Sequence, residues 1–237
     1  TTNSIIVTDF QLMYKKIVLV CLIVLLSFAG FSQQAYRIKA DIFTKTRLID
    51  STFQISKGTL FYDKNVKKII FDFSFPQKEK VVLFDTIMYS FRADTLYAKS
   101  LNLLIPDQSL FHFILMGNMA NFGLDQAHFE MKGVEKKGDM VITTWLPPEF
   151  LRQTISKVLM ATKNKLLYSV TMLDSKGNVV SRQILKNYKL IQGIDIPTEI
   201  LIATYLSNNQ GNIYQIITMN NVILNDTKSN EKYNYKL

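Results

Sequence analysis

The sequence is poor in the residue types that most often form metal sites and covalent cross-links. Cysteine occurs once, at Cys21, and histidine twice, at His112 and His128. A single cysteine cannot form a disulfide within the chain, so the core must stabilise the fold alone. The two histidines lie 16 positions apart and have neither the close spacing nor the neighbouring cysteines of a zinc site. We therefore predict no metal site and no cofactor.

Glycine is scarce as well, with 9 residues in 237, and the sequence contains no glycine-rich phosphate loop and no nucleophile elbow. Asp63, Asp72 and Asp85 lie near consecutive predicted strands. They differ in strand phase, so solvated strand positions explain them more simply than paired catalytic carboxylates. We predict no catalytic residue and no enzyme; a polar cluster converging in a pocket would be needed to favour one.

No apolar run reaches the roughly 20 residues that a membrane-spanning helix needs. The longest, residues 17–31, has 15 residues, follows Lys15-Lys16 and ends near the small residues Gly30 and Ser32. This order is typical of a secretory signal peptide. We predict a signal peptide over residues 13–32 that is cleaved near Ser32, and we leave residues 1–12 uninterpreted. Residues 33–237 are predicted to form one domain, in the periplasm.

The charge is positive, with a formal net value of +9. Export makes nucleic acid an unsuitable partner, and a positive surface favours transient contact with an anionic membrane surface or a membrane protein. Dispersed lysines that only keep the protein soluble explain the charge equally well. We expect a monomer.

Strand periodicity runs through most of the chain. Ile69, Phe71, Phe73 and Phe75 alternate with smaller or polar residues, and residues 166–172 alternate in the same way. Turn residues at 163–164, 174–177 and 208–211 separate such runs. We predict a mainly β fold: one curved antiparallel sheet of about 10–12 strands that forms an incomplete, half-open β-barrel.

One segment breaks the strand pattern. Asp107 is predicted to cap a helix over Gln108–Met116, which ends before Gly117, is apolar on nearly all sides and should be buried on more than one. The helical region Leu110–Met119 is expected to pack against the concave face of the sheet. A second irregular piece, residues 147–152, predicts a short helical turn. Because one short helical lid cannot cover a whole apolar sheet face, we predict a pocket, and methionines such as Met116 and Met119 suit an irregular ligand.

Five stretches of the sequence form a recognisable set: Phe43-Thr44-Lys45-Thr46, Ser56 to Lys64 with its "G-x-aromatic" strand, Ile69 to Phe73, Val81 to Asp85, and Gly193 to Ile200. Together they resemble the outer-membrane lipoprotein carrier LolA and the wider LolA/LolB-like superfamily. The family's functional arginine follows an "aromatic-x-Lys" that corresponds to Tyr62-Asp63-Lys64, and Asn65 stands at the matching place. The chain is identified as a divergent member.

The resemblance implies a half-barrel wrapped on a helical lid, whose interior accepts acyl chains of lipoproteins crossing the periplasm. The partner is then an acylated lipoprotein or another lipid, such as a glycolipid or a lipid-linked pigment. The alternative is an envelope β-protein that carries nothing and binds a protein partner through its sheet edge or lid. For the carrier we predict these lipid-binding residues: Phe61, Phe71, Phe73, Phe75, Leu83, Leu110, Phe113, Ile114, Met116, Met119, Leu166 and Tyr168.

Overall fold

The computed structural model describes residues 35–101, 106–206 and 211–237. The predicted signal peptide, the stretch before it and Cys21 lie outside the described residues, as do three of the four residues of the predicted turn at 208–211.

Thirteen strands make up most of the described chain. They are β1 Arg37–Arg47, β2 Phe53–Asp63, β3 Lys68–Phe75, β4 Glu79–Phe84, β5 Ile87–Arg92, β6 Thr95–Leu101, β7 Glu130–Lys137, β8 Met140–Leu146, β9 Ile155–Lys163, β10 Leu166–Asp174, β11 Val179–Ile191, β12 Ile194–Tyr205 and β13 Asn212–Leu224. Two short helices, α1 Leu110–Met116 and α2 Asn230–Tyr233, and two 3₁₀ turns, Pro106–Gln108 and Glu149–Leu151, complete the described elements.

All thirteen strands belong to one antiparallel sheet in the order β6-β5-β4-β3-β2-β1-β13-β12-β11-β10-β9-β8-β7. Neighbouring strands are joined by short turns, as at Asn164 and Lys165, whose φ angles of 52° and 65° suit a two-residue hairpin. The long-range pair is β1 with β13. Because β6 and β7 lie at opposite edges, the sheet stays open, which confirms the predicted curved half-barrel with one strand more than expected.

The connection from β6 to β7 leads from one edge of the sheet to the other, and we call its residues 106–129 the lid segment. Helix α1 begins there after Ser109, whose side chain accepts a hydrogen bond from the His112 backbone N–H at 3.2 Å. It ends at Gly117, whose φ of 71° is a left-handed conformation that glycine adopts without strain. The predicted cap is therefore wrong, because Asp107 lies in the preceding 3₁₀ turn. The helix ends at Met116 before Gly117, where the apolar stretch was predicted to end, and does not extend to Met119.

Helix α1 packs on the sheet face that we call the inner face, as predicted. Ile114 and Leu115 are 0% and 1% exposed. They form one cluster with buried side chains of β1–β4, β12 and β13, namely Ile38, Ala40, Ile42, Leu60, Tyr62, Ile69, Leu83, Ile196, Ile200, Met219 and Leu224. The lid segment thus fills this half of the inner face.

The opposite, outer face carries a separate core under the C-terminal strap, residues 225–237. Tyr233 of α2 is 1% exposed and packs against Phe61 with ring centroids 5.4 Å apart. Ile70, Val82 and Phe91 belong to the same cluster. A buried ion pair, Arg37 Nε to Asp63 Oδ2 at 2.6 Å, lies beside it, and the Arg37 guanidinium stacks over the Tyr233 ring. The strap therefore ties β1 to β5 together from outside.

The described helices are all too short to cross a bilayer.

Candidate functional site

A cavity of 710 Å³ lies between the lid segment and strands β9–β11, and we call it the lid cavity. Its floor consists of Val158 of β9, Val170 and Met172 of β10, and Ser181 and Gln183 of β11. The volume falls within the ~300–1,000 Å³ range of small-molecule pockets. The walls are mainly hydrocarbon and aromatic, so the cavity suits an apolar group.

The lid segment supplies the roof. Phe113 of α1 lines the cavity together with Phe122, Leu124 and Phe129 from the turns after the helix. Phe113 and Phe122 pack with ring centroids 5.0 Å apart. Gly123, with a φ of 69°, lies against the Phe113 ring so closely that a Cβ there would come within 2.3 Å of it. Glycine is required at this position both by the backbone conformation and by the position of the ring.

The second 3₁₀ turn forms one side of the mouth. Leu151 is half-buried, whereas Phe150 is 79% exposed, although both line the lid cavity. The turn follows Pro147 and Pro148, which cannot donate backbone hydrogen bonds to a strand and so interrupt β-pairing. An aromatic ring is thereby held in solvent at the entrance.

Polar contacts fasten the lid segment to the β2–β3 hairpin. The Tyr62 hydroxyl lies 2.7 Å from His112 Nδ1. Burial is the main cause that lowers the pKa of His112; Asp107 raises it, and Lys67 and Lys64 lower it further. Burial also raises the pKa of Tyr62, with smaller contributions from Asp107 and Asp63. Both side chains are therefore uncharged near neutral pH.

Lys67 forms an ion pair with Asp107 at 2.7 Å, next to the Tyr62–His112 contact. The lysine side chain is 63% exposed, so solvent screens the pair and its net contribution to stability is small. Asn65, which was predicted to match the functional arginine of LolA-like carriers, is exposed in the same hairpin and donates its backbone N–H to Asp63 Oδ1 at 2.8 Å. A lysine two positions further on thus makes the charged contact to the lid.

Six of the twelve residues predicted to bind lipid are brought together, but within a filled core. Phe71, Phe73, Leu83, Leu110, Ile114 and Met119 all belong to the cluster under α1. Phe113 lines the lid cavity itself. Ile114, Met119 and Leu166 line a separate pocket of 260 Å³ on another side of the helix.

The structure places the other four elsewhere. Phe61 lies on the outer face beneath Tyr233, because neighbouring residues of a strand point to opposite faces. Phe75 is 48% exposed and lines a hollow with Phe73, and Met116 is 37% exposed. Tyr168 is half-buried in a bulge of β10.

The residues that form most of the lid cavity were not predicted. Val158, Val170 and Met172 look like ordinary strand residues, and nothing in the sequence separates them from the filled core. Phe122, Leu124 and Phe129 carried a usable signal. They are large apolar residues in a stretch rich in asparagine, aspartate and glycine, where solvent-exposed turns rarely need them.

A larger hollow of 840 Å³ runs along β1, β2 and β3 but suits an apolar ligand less well. Its lining includes Asp41, Lys57, Asp72 and Lys78. Within residues 35–101, 106–206 and 211–237, no group of three histidine, cysteine or carboxylate side chains is placed to hold a metal ion. His128 lies exposed in a turn with a φ of 61°.

The fold recurs in solved structures at low sequence identity. A LolA superfamily protein from Nitrosomonas europaea is 15% identical with a TM-score of 0.57, over 84% of this chain and 90% of that one. A DUF1329 family protein from Desulfovibrio piger has a TM-score of 0.58 at 13% identity, over 86% of this chain and 92% of that one. A proposed outer-membrane lipoprotein-sorting protein domain from Vibrio parahaemolyticus also reaches 0.58, at 9% identity, over 84% and 90%. No protein-family model and no curated protein matches the sequence.

Proposed function

We propose that this chain, a divergent protein with the LolA-like fold, is a periplasmic carrier that binds acyl chains in the lid cavity and shuttles a lipid between membranes. Its cargo is an acylated lipoprotein or another amphiphilic lipid, and it works without catalysis. The single observation that carries this proposal is the 710 Å³ apolar cavity between the lid segment and β9–β11.

The energetics of transfer suit such a site. Burying an acyl chain of 16 carbons stabilises it by roughly 12 kcal/mol relative to water, at about 0.8 kcal/mol per methylene. The chain gains a similar amount in a bilayer, so a carrier needs a pocket of comparable apolarity and a lid that opens. The lid segment is bonded to the β2–β3 hairpin by few polar contacts near its start, and Phe150 stands exposed at the mouth.

The test is lipid co-purification with the processed chain after expression with export. Native mass spectrometry should find an amphiphile bound at one per chain. Ala127→Trp places an indole at an exposed position on the cavity mouth and should reduce the bound fraction about tenfold or more, equivalent to at least ~1.4 kcal/mol.

Ala98→Trp is the matched control, because Ala98 is exposed on edge strand β6, far along the sheet order from β9–β11. It should bind as the wild type does. A wild-type chain that contains no lipid and takes up none from vesicles would rule out the carrier function.

One observation favours the alternative of a protein-binding module. All seven residues of β6 are exposed, including Leu96, Tyr97 and Leu101. Apart from Lys99 the strand has no charged residue, whereas the other edge strand, β7, has five. Charged residues are a common protection of sheet edges against further pairing. If an extended peptide adds to β6, Ala98→Pro should abolish capture of the partner and leave lipid binding intact.

A further inference from the structure

We infer that the lid cavity selects amphiphiles with an uncharged, hydroxyl- or amide-bearing head group, such as an acylglycerol, over those with an anionic head group. The inference rests on the proposed carrier function and concerns what its cargo must look like next to the acyl chain. It is drawn from two polar side chains of the cavity floor, Ser181 and Gln183, and from the charges around the cavity.

Ser181 and Gln183 are the polar residues of the cavity floor. They alternate on β11 and so share a face with Leu185, which is 1% exposed in the core under the lid segment. Their partners across the ladder, Met172 and Val170, are cavity-lining as well. A hydroxyl and an amide are therefore set among apolar neighbours.

Among the hydrogen bonds between described residues, none involves the Ser181 hydroxyl or the Gln183 amide. Both side chains are half-buried and so remain available to a ligand in the cavity, and a ligand that displaces water from them without supplying hydrogen-bond partners would bind less tightly. The amide offers two donors and one acceptor, and the serine hydroxyl offers both functions. This set matches a diol or an amide, each of which also donates and accepts.

The charges around the cavity disfavour an anion. The described lining contains no lysine and no arginine, and its charged side chain is the carboxylate of Asp107 at the mouth. Lys67 stands near but is already paired with that carboxylate at 2.7 Å. The lining contains two histidines: burial lowers the pKa of His112, so its imidazole brings no positive charge at neutral pH, whereas His128 lies exposed in a turn. A phosphate in the cavity would lose water without gaining a cation.

The experiment uses two lipids that differ in one phosphate: 1-palmitoylglycerol and 1-palmitoylglycerol-3-phosphate. The processed wild-type chain is incubated at pH 7.5 with equal free concentrations of both, below their aggregation limits, and the bound lipid is counted by mass spectrometry after gel filtration. We expect the chain to bind palmitoylglycerol in preference to the phosphate form by about tenfold or more, which corresponds to a difference of at least ~1.4 kcal/mol in binding free energy.

Two variants test the assignment to the cavity. Gln183→Lys places a cation beside Ser181 and should reverse the preference, while Gln54→Lys adds the same charge at an exposed position on β2 and should not. Should Gln183→Lys fail to fold, Asp107→Asn replaces it. That variant removes the mouth carboxylate and releases Lys67, so binding of the phosphate form should rise several-fold.

The outcomes separate the two claims. Equal binding of both lipids, or preference for the phosphate form, overturns the head-group inference and leaves the carrier function standing. A preference that Gln183→Lys and Asp107→Asn both leave unchanged also overturns it. If neither lipid binds and the purified chain holds none, both claims fail together.

Discussion

His112 joins the lid segment to the sheet through Tyr62, and its titration should be visible in stability. Burial holds its folded-state pKa below the ordinary 6.5. As the pH falls through about 6.5, the unfolded chain takes up the proton before the folded chain does. The contribution of neutral His112 to folding stability is therefore complete above that pH, and it is lost as the pH falls further. Urea unfolding should show stability falling between pH 7.5 and pH 5.5.

The variant His112→Asn keeps an acceptor near the Tyr62 hydroxyl and removes the titrating group, so it should show a shallower fall over the same interval. Tyr62→Phe removes the hydroxyl and leaves the histidine able to titrate. It should lose about 0.5–1.5 kcal/mol at pH 7.5, the usual contribution of one hydrogen bond. Identical slopes for wild type and His112→Asn would contradict the assignment.

Gly123 offers a second test at single-residue scale. Gly123→Ala would place a Cβ 2.3 Å from the Phe113 ring, at a φ of 69°. Overpacking of this kind costs about 1–3 kcal/mol, and moving the ring should also narrow the lid cavity. Gly117→Ala is the control, because its φ of 71° is similar but no atom lies within 4 Å of the added carbon.

Thermal unfolding and lipid uptake are the measurements for this pair. Gly117→Ala should show only the strain of the left-handed backbone, about 1–2 kcal/mol, with normal lipid uptake. Gly123→Ala should lose more stability and also bind less lipid. Equal losses of stability and of lipid uptake in the two variants would mean that the Phe113 ring moves aside without affecting the fold or the cavity.

Individual elements show where sequence patterns succeed and where they fail. Strands were predictable because alternation survives in Ile69, Phe71 and Phe73, which do face the lid. The run at 166–172 was not correctly phased. A bulge between Leu167 and Ser169 shifts the pleat, so that Leu167 packs in the same cluster as Val170 and Met172. A bulge adds one residue and leaves no compositional mark.

Sequence patterns also failed to predict the residue at which helix α1 begins. Its existence follows from an apolar stretch after Pro106, whereas its start depends on whether Asp107 or Ser109 bonds to the helix. Ser109 is 2% exposed and its Oγ also donates to the Pro106 carbonyl at 2.6 Å. One hydroxyl thus fixes both the 3₁₀ turn and the helix, a double role that the sequence alone does not reveal.

Ser109→Ala should therefore loosen the lid more than the sheet. Loss of an N-cap costs about 0.5–2 kcal/mol, and the measurement is amide hydrogen exchange of residues 110–116 compared with that of the central strands. Exchange should accelerate in α1 and hold steady in β1 and β13. Ser100→Ala, an exposed position on β6, should leave both rates unchanged. Uniform acceleration across the sheet would show that the lid is not a separate unit.

For the molecule as a whole, the pairing of β1 with β13 and the location of the cavity lay beyond prediction. Both depend on which strands, far apart in the sequence, pair with each other. The local sequence patterns of the strands are compatible with several strand orders in the sheet. Different parts of the one sheet therefore have different structural roles. Strands β1–β5 carry solid cores on both faces, under α1 and under the strap, whereas β9–β11 bound the lid cavity.

Because the core under the strap and the lid cavity lie on different parts of the sheet, we predict that folding stability and lipid binding can be changed separately. Tyr233→Ala removes the ring that covers Phe61 on the outer face and should destabilise the chain by about 3–5 kcal/mol, as large buried aromatics do. Because the lid cavity lies on the inner face, lipid affinity at 10 °C should stay within twofold of wild type while most chains remain folded. Leu237→Ala, at a 49% exposed position, is the control and should change neither quantity. A Tyr233→Ala chain that is folded yet no longer binds lipid would show that the strap shapes the cavity across the sheet, and the two faces would then have to be treated as one unit.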